Sequence, residues 1–101
     1  MSPERKLEAY LKKQCLARKL MTRKVQWIGQ NGAPDRVVFG AKGKLAWIEL
    51  KSLHGKTSMV QEMEIGRMTA RGQNVWIART VEEVDAILDR IQPPGLPKAD
   101  Y

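Results

Sequence analysis

Cysteine, histidine and long apolar runs are what this chain has least of, and each shortage closes off a class of chemistry. With one cysteine, Cys15, no internal disulfide can form. With one histidine, His54, and that single cysteine, no Cys/His zinc site can be assembled. A Ser-His-Asp arrangement would need His54, and no strained nucleophile turn accompanies it. Cys15 lies beside Leu11 and Leu16 in a stretch of helical spacing and reads as a small core residue. His54 reads as a loop residue near phosphate. No stretch approaches the ~18 apolar residues of a membrane span, and Met1 to Lys6 lacks the apolar core of a signal peptide. A soluble, cytoplasmic protein with no membrane partner is expected.

What is present is charge, most of it positive. The 101 residues carry 18 Lys+Arg against 11 Asp+Glu, a net charge of +7. That balance favours a polyanionic partner, of which nucleic acid is the commonest. Eight of the basic residues precede Val25: Arg5, Lys6, Lys12, Lys13, Arg18, Lys19, Arg23 and Lys24. They are either the solvated face of an amphipathic helix or a surface that tracks phosphates.

The length suits one domain, expected over residues 1–92, with a loose tail at 93–101 after Pro93-Pro94. Ser2 then Pro3 is a helix start, and Leu7, Leu11 and Cys15 recur at helical spacing, which predicts a helix to about Met21. Val25 to Ile28 reads as a short strand and Gly29 to Gly32 as a turn cluster. Arg36 to Phe39 and Leu45 to Ile48 read as strands joined by a three-residue loop, Ala41 to Gly43, with Gly43 left-handed. Ser58 starts a helix that runs to about Arg71 and stops at Gly72. Asn74 to Ala78 is a further strand. Thr80 to Glu83 is a capping box for a last helix with Val84, Ile87, Leu88 and Ile91 as its apolar face. The order α-β-β-β-α-β-α predicts an α/β domain with a mixed sheet.

The hairpin places chemistry. Its loop pairs Phe39 with Leu45 and Arg36 with Ile48, and by extension sets Asp35 opposite Glu49. Paired residues have Cβ atoms ~4.5–5.5 Å apart on one face. Two carboxylates that close repel unless a cation lies between them, a role Mg²⁺ fills. Lys51, two residues on, projects from the same face. Leu45 and Trp47 on one side and Ala46, Ile48 and Leu50 on the other make both faces apolar, so this strand should be central and covered. A salt bridge of Lys51 with Glu49 or Asp35 is the alternative. Gln61 follows Ser58 by three and fits a capping box, yet shares a helix face with Ile65 and Met68 that should point inward. Met59, Met63, Gly66 and Ala70 form a second stripe suited to packing or a subunit contact. Trp27, Trp47 and Trp76 fall in strands and read as core.

Gly32-Ala33-Pro34-Asp35-Arg36, then Glu49-Leu50-Lys51, then Gln61 resembles the PD-(D/E)XK nuclease superfamily, and within it the virus-type replication-repair nuclease (VRR-NUC) domain, over about residues 4 to 91. Where that family's Val-Arg-Arg-like signature is expected, this chain has Val75-Trp76-Ile77-Ala78-Arg79, with one arginine. The resemblance implies a restriction-endonuclease-like core. It implies that Asp35, Glu49 and the Leu50 carbonyl, with Glu8 from the first helix, hold Mg²⁺ or Mn²⁺. Lys51 would position water or stabilise phosphate charge, and Gln61 would complete the site. Without the resemblance Glu8 reads as a surface acid. The implied activity is endonucleolytic, on branched DNA such as a Holliday junction. A chain of this size holds one set of catalytic groups, so paired cuts in a junction lead to the expectation of a two-fold homodimer. Lys12, Lys13, Arg18, Lys19, Arg36, His54 and Lys56 are the expected DNA contacts. A basic DNA-binding module without catalysis is the alternative.

Overall fold

The computed structural model describes residues 1–92, so the expected tail lies outside the described residues. Helix α1 (Pro3–Ala17) leads into strands β1 (Met21–Lys24) and β2 (Arg36–Phe39), and a short 3₁₀ turn (Ala41–Gly43) into β3 (Leu45–Leu50). Helix α2 (Met59–Ala70), strand β4 (Val75–Ala78) and helix α3 (Val81–Ile91) follow. The four strands form one sheet in the order β1-β2-β3-β4. The first two pairings are antiparallel and β3 with β4 is parallel, so the sheet is mixed and β3 is interior.

The hairpin register is the predicted one: Arg36 pairs with Ile48, Val37 with Trp47, Val38 with Ala46 and Phe39 with Leu45. Gly43 is left-handed at φ +76, and Lys42 joins it at +58. One side of the sheet takes α1 and α3. Leu7, Leu11, Cys15 and Leu20 meet Val38, Ala46, Ile48, Leu50 and Ala78, and Val84, Ile87, Leu88 and Ile91 close the layer as the spacing of α3 predicts. Each fully buried Leu or Ile here contributes ~1.5–3 kcal/mol over leaving it in water. Arg18 bridges the two helices from α1 to Asp89 (2.5 Å) and Asp85 (3.5 Å) on α3.

Strand β3 runs on past the expected Ile48 to Leu50, and so includes Glu49, and β4 starts at Val75, one residue late; the larger differences from expectation are in the first helix and the first strand. Helix α1 stops at Ala17, not Met21, because Lys19 turns left-handed (φ 56). The Leu20 amide then donates to the Cys15 carbonyl at 2.8 Å and the Lys19 amide to Leu16 at 3.2 Å. This is a Schellman closure with lysine where glycine is usual. Helix α2 ends the same way on Gly72, with Gln73 donating to Met68 and Gly72 to Thr69. The early stop moves the first strand to Met21–Lys24, and Val25 to Ile28 fall after it with Ile28 fully exposed. The tryptophans are only half-buried: Trp76 packs against the core with the Arg90 guanidinium over its ring, whereas Trp27 and Trp47 lie outside it, edge-on to each other at 5.8 Å. The Met59/Met63 stripe faces solvent, with Met59 75% exposed.

Candidate active site

Proline sets the first acid. Pro34 is fully buried, which anchors the turn, and Asp35 stands immediately before β2. The Val25 amide donates to the Asp35 carbonyl (2.9 Å), so pairing with β1 continues one residue past its assigned end. The Asp35 side chain accepts from the Leu50 amide, Oδ2 at 2.8 Å, which ties it to the end of β3.

Glu49 is the second acid, and its side chain is only 3% exposed. One oxygen, Oε2, takes both donors: Lys51 Nζ at 3.1 Å and Gln61 Nε2 at 2.8 Å. The other, Oε1, is buried with no partner in the structure. Burial pushes the Glu49 carboxyl above the usual carboxylate range, and the Asp35 charge adds to this; the bonds from Lys51 and Gln61 oppose it. An orphaned carboxylate oxygen is costly when buried, and one beside a second acid marks where a cation would be most welcome.

Gln61 carries out both jobs its position allows. Its backbone N–H donates to Ser58 Oγ at 3.1 Å, its side-chain Oε1 accepts from the Ser58 amide at 3.0 Å, and its Nε2 donates to Glu49 Oε2 at 2.8 Å. The cap of α2 thereby fixes the rotamer that supports the acid. Arg79, the one arginine of its segment, fastens the loop after Lys51: Nη1 donates to the carbonyls of Ser52 (2.9 Å) and Gly55.

Glu8 approaches from α1. Its Oε2 accepts from Arg36 Nε at 3.1 Å and lies 3.9 Å from Lys24 Nζ. Glu8, Asp35 and Leu50 line one cleft of about 230 Å³ at the end of the sheet, with Arg5 and Lys24 at its walls. The structure therefore joins Glu49, Lys51 and Gln61 by hydrogen bonds, ties Asp35 to Leu50, and sets Glu8 on the cleft that Asp35 and Leu50 line. Among the described residues no three acidic, histidine or cysteine side chains converge on one point, so side chains alone do not close a cage. The donors in reach are all oxygen, which suits Mg²⁺ or Mn²⁺ better than zinc. The orphaned Glu49 oxygen, and Leu50's place with Asp35 and Glu8 on the cleft, fit such an ion.

The remaining expected contacts divide. Lys12, Lys13, Lys19, His54 and Lys56 are exposed. Arg18 is held by Asp85 and Asp89, and Arg36 is buried against Glu8. Arg5 and Lys24 were not among the residues expected at the site. Lys24 was hidden by the misplaced first strand: as the last residue of β1 it pairs with Arg36. Arg5 could have been found from its spacing, three residues before Glu8 on one helix face. Cys15 is as expected, buried in the core, with burial pushing its thiol up to about 11.

No helix among the described residues is long and apolar enough to cross a membrane. The chain is similar to a solved structure described as a VRR_NUC domain, with 28% identity, a TM-score of 0.81, and coverage of 88% of this chain and 97% of that one. No protein-family model and no curated protein matches the chain.

Proposed function

We propose that this chain, a VRR-NUC domain with a restriction-endonuclease-like fold, is a divalent-metal-dependent DNA endonuclease. The observation that carries the reading is Glu49: a buried carboxylate with one oxygen held by Lys51 and Gln61, the other unpartnered, beside Asp35. Asp35, Glu49 and the Leu50 carbonyl would hold Mg²⁺ or Mn²⁺, with Glu8 completing the set. Bound there, the ion supplies an acidified water and offsets charge on the phosphate.

The chain's own groups do the rest. Lys51 lies 3.1 Å from Glu49 and is 15% exposed, so its ammonium can turn from Glu49 to a phosphate oxygen as negative charge develops there. Gln61 keeps Glu49 in place while Lys51 moves. Arg5 and Lys24 offer positive charge at the cleft walls for the flanking phosphates, and Lys12, Lys13, Lys19, His54 and Lys56 extend it. Branched DNA, with a Holliday junction foremost, is the substrate this reading favours. One chain holds one set of catalytic groups, so paired nicks call for a two-fold dimer; the exposed Met59 and Met63 of α2 offer apolar surface for it.

A cleavage assay on a four-way junction, a flap and a linear duplex, each with Mg²⁺ and with excess EDTA, tests the reading. Metal-dependent, symmetric paired cuts by a species of dimer mass are expected. Undiminished cleavage in chelator would overturn the mechanism, and binding without any cleavage would leave a non-catalytic DNA-binding module. A monomer nicking only flaps would remove the junction role and keep the nuclease.

A further inference from the structure

The cations on Glu8 are unequal. Lys24 is 3.9 Å away with its side chain 73% exposed, a pair of the kind that solvent screens to little effect. Arg36 is 3.1 Å away through Nε and its side chain is only 10% exposed. A guanidinium is rigid, permanently charged, and seldom buried without a partner that fixes it. Both contacts engage Oε2 of Glu8, which leaves Oε1 as the oxygen available to the cleft.

Strand alternation explains how Arg36 comes to be there. Asp35 and Arg36 are consecutive, so their side chains diverge. Asp35 turns to the Leu50 amide at the cleft, and Arg36, paired with Ile48, turns to the side of the sheet that α1 covers. One peptide unit thus presents one acid directly and grips the other through its partner. Helix α1 is otherwise held at this end by apolar contact through Leu7, which sets its distance from the sheet but not the rotation of Glu8.

We infer that Arg36 is a positioning residue: it touches neither DNA nor metal, and it orients the Glu8 carboxylate so that Oε1 faces the cation site formed with Asp35. The assignment rests on the metal-dependent reading of the site. Partners that orient a metal ligand in this way are typically worth 10–100-fold in metal affinity or activity.

The sign of the effect separates positioning from simple electrostatics. Removing a cation close to a cation site should by charge alone tighten Mn²⁺ binding. Removing a group that orients a ligand should weaken it. The experiment measures Mn²⁺ affinity without DNA, by the loss of the free-ion paramagnetic resonance signal, for wild type, Arg36→Met, Arg36→Lys, Glu8→Gln and the Glu8→Gln/Arg36→Met double variant. DNA affinity is measured separately in EDTA across a salt series. The expected result is Mn²⁺ binding weakened roughly 10–100-fold in Arg36→Met, with Arg36→Lys weakened by a smaller factor. Glu8→Gln should weaken it similarly, with no further loss in the double variant and an unchanged DNA salt slope. Unchanged or tighter Mn²⁺ binding in Arg36→Met overturns the assignment. So does an equal loss in the Glu8→Gln background, which would mark a general structural role, or a salt slope reduced by ~0.9, which would make Arg36 a phosphate contact. If Arg36→Met does not fold, Arg36→Lys takes its place, and wild-type Mn²⁺ affinity in that variant overturns it. A wild-type protein that binds no Mn²⁺ sinks the metal-dependent reading itself, whereas a wild type that binds it beside an unaffected Arg36→Met sinks only the role of Arg36.

Discussion

On the side of the sheet that α1 and α3 cover, Leu11, Val38, Ile48, Val84 and Leu88 have no solvent exposure at all. On the side that α2 covers, Phe39 and Ile77 are each 36% exposed, and α2 itself has no buried residue. The most deeply buried polar groups follow the opposite logic. The first side holds an apolar layer whose charges pair with one another, Arg18 with Asp85 and Asp89 and the buried Arg36 with Glu8. The second keeps Glu49 almost dry beneath a thin cover and gives it donors, Lys51 and Gln61, instead of packing. Stability is concentrated on one side, while Glu49, Lys51 and Gln61 lie on the other and Glu8 reaches the site from the packed side only at its end, as expected where a reactive constellation needs access that a close-packed layer would deny.

The largest effect expected is on the thin side and on activity alone. Lys51→Ala should lower cleavage by at least ~10²–10³-fold, while leaving DNA affinity near wild type, since the positive charge is spread over many groups. Junction cleavage rates beside filter or anisotropy binding check this, and an equal loss of binding would break the division between chemistry and charge. On the packed side the effect should be on folding alone. Leu11→Ala and Leu88→Ala should each cost ~2–5 kcal/mol, read from urea denaturation, whereas Met59→Ser, far out on α2, should stay within ~0.5 kcal/mol.

Metal should act as a staple for the thin side. At a concentration 100-fold over its dissociation constant, Mn²⁺ should stabilise the fold by ~2.7 kcal/mol, measured as a rise in Tm that Glu49→Gln abolishes. Its pH dependence has a definite sign. Burial holds the Glu49 proton to a higher pH than the ordinary 4.5, and protons compete with the ion for the carboxylate. The metal-dependent rise in Tm should therefore shrink on acidification, beginning above the ordinary glutamate range. Cys15 gives the corresponding test of the packed side at high pH. With its folded thiol pushed from 9.0 to about 11, the unfolded chain ionises first, so stability should fall between those values, and by less in Cys15→Ala, where only the raised Tyr10 hydroxyl still contributes such a loss. The smallest effect expected is at the left-handed Lys19. Lys19→Gly should add up to ~1 kcal/mol by relieving the backbone, and a loss instead would show that the lysine side chain's own interaction outweighs the strain.

Lys19 also shows why some of the fold was illegible. Gly72 marks the end of α2 in the sequence, and the same closure at Lys19 has no such mark, so helical spacing alone carries α1 past Ala17 and sets the first strand too late. Lys24 was lost from the site with it. The exposed composition of Met21–Lys24 reinforced the error, because an edge strand with little to bury shows no alternation. The tryptophans misled for a related reason. Strand residues of that size are expected inside, but here the covering helix is too slight to enclose Trp47, which turns its indole N–H to Gln73 instead.

Short-range rules were enough wherever the cause was local. The loop from Ala41 to Gly43 sets the hairpin register, and the register brings Asp35 and Glu49 to one end of the sheet, because pairing across a tight turn leaves no freedom to slip. Capping chemistry likewise set the starts of all three helices, and the spacing of Val84, Ile87, Leu88 and Ile91 set the buried face of the last. What only the tertiary structure decided is which distant groups share an atom: Arg36 with Glu8, Gln61 with Glu49, Arg18 with Asp85 and Asp89. Nothing in the spacing of residues 28 or 71 positions apart encodes such a meeting, since it depends on how helices settle on a sheet by apolar packing, which specifies distance and area but leaves the polar pairs to the final geometry.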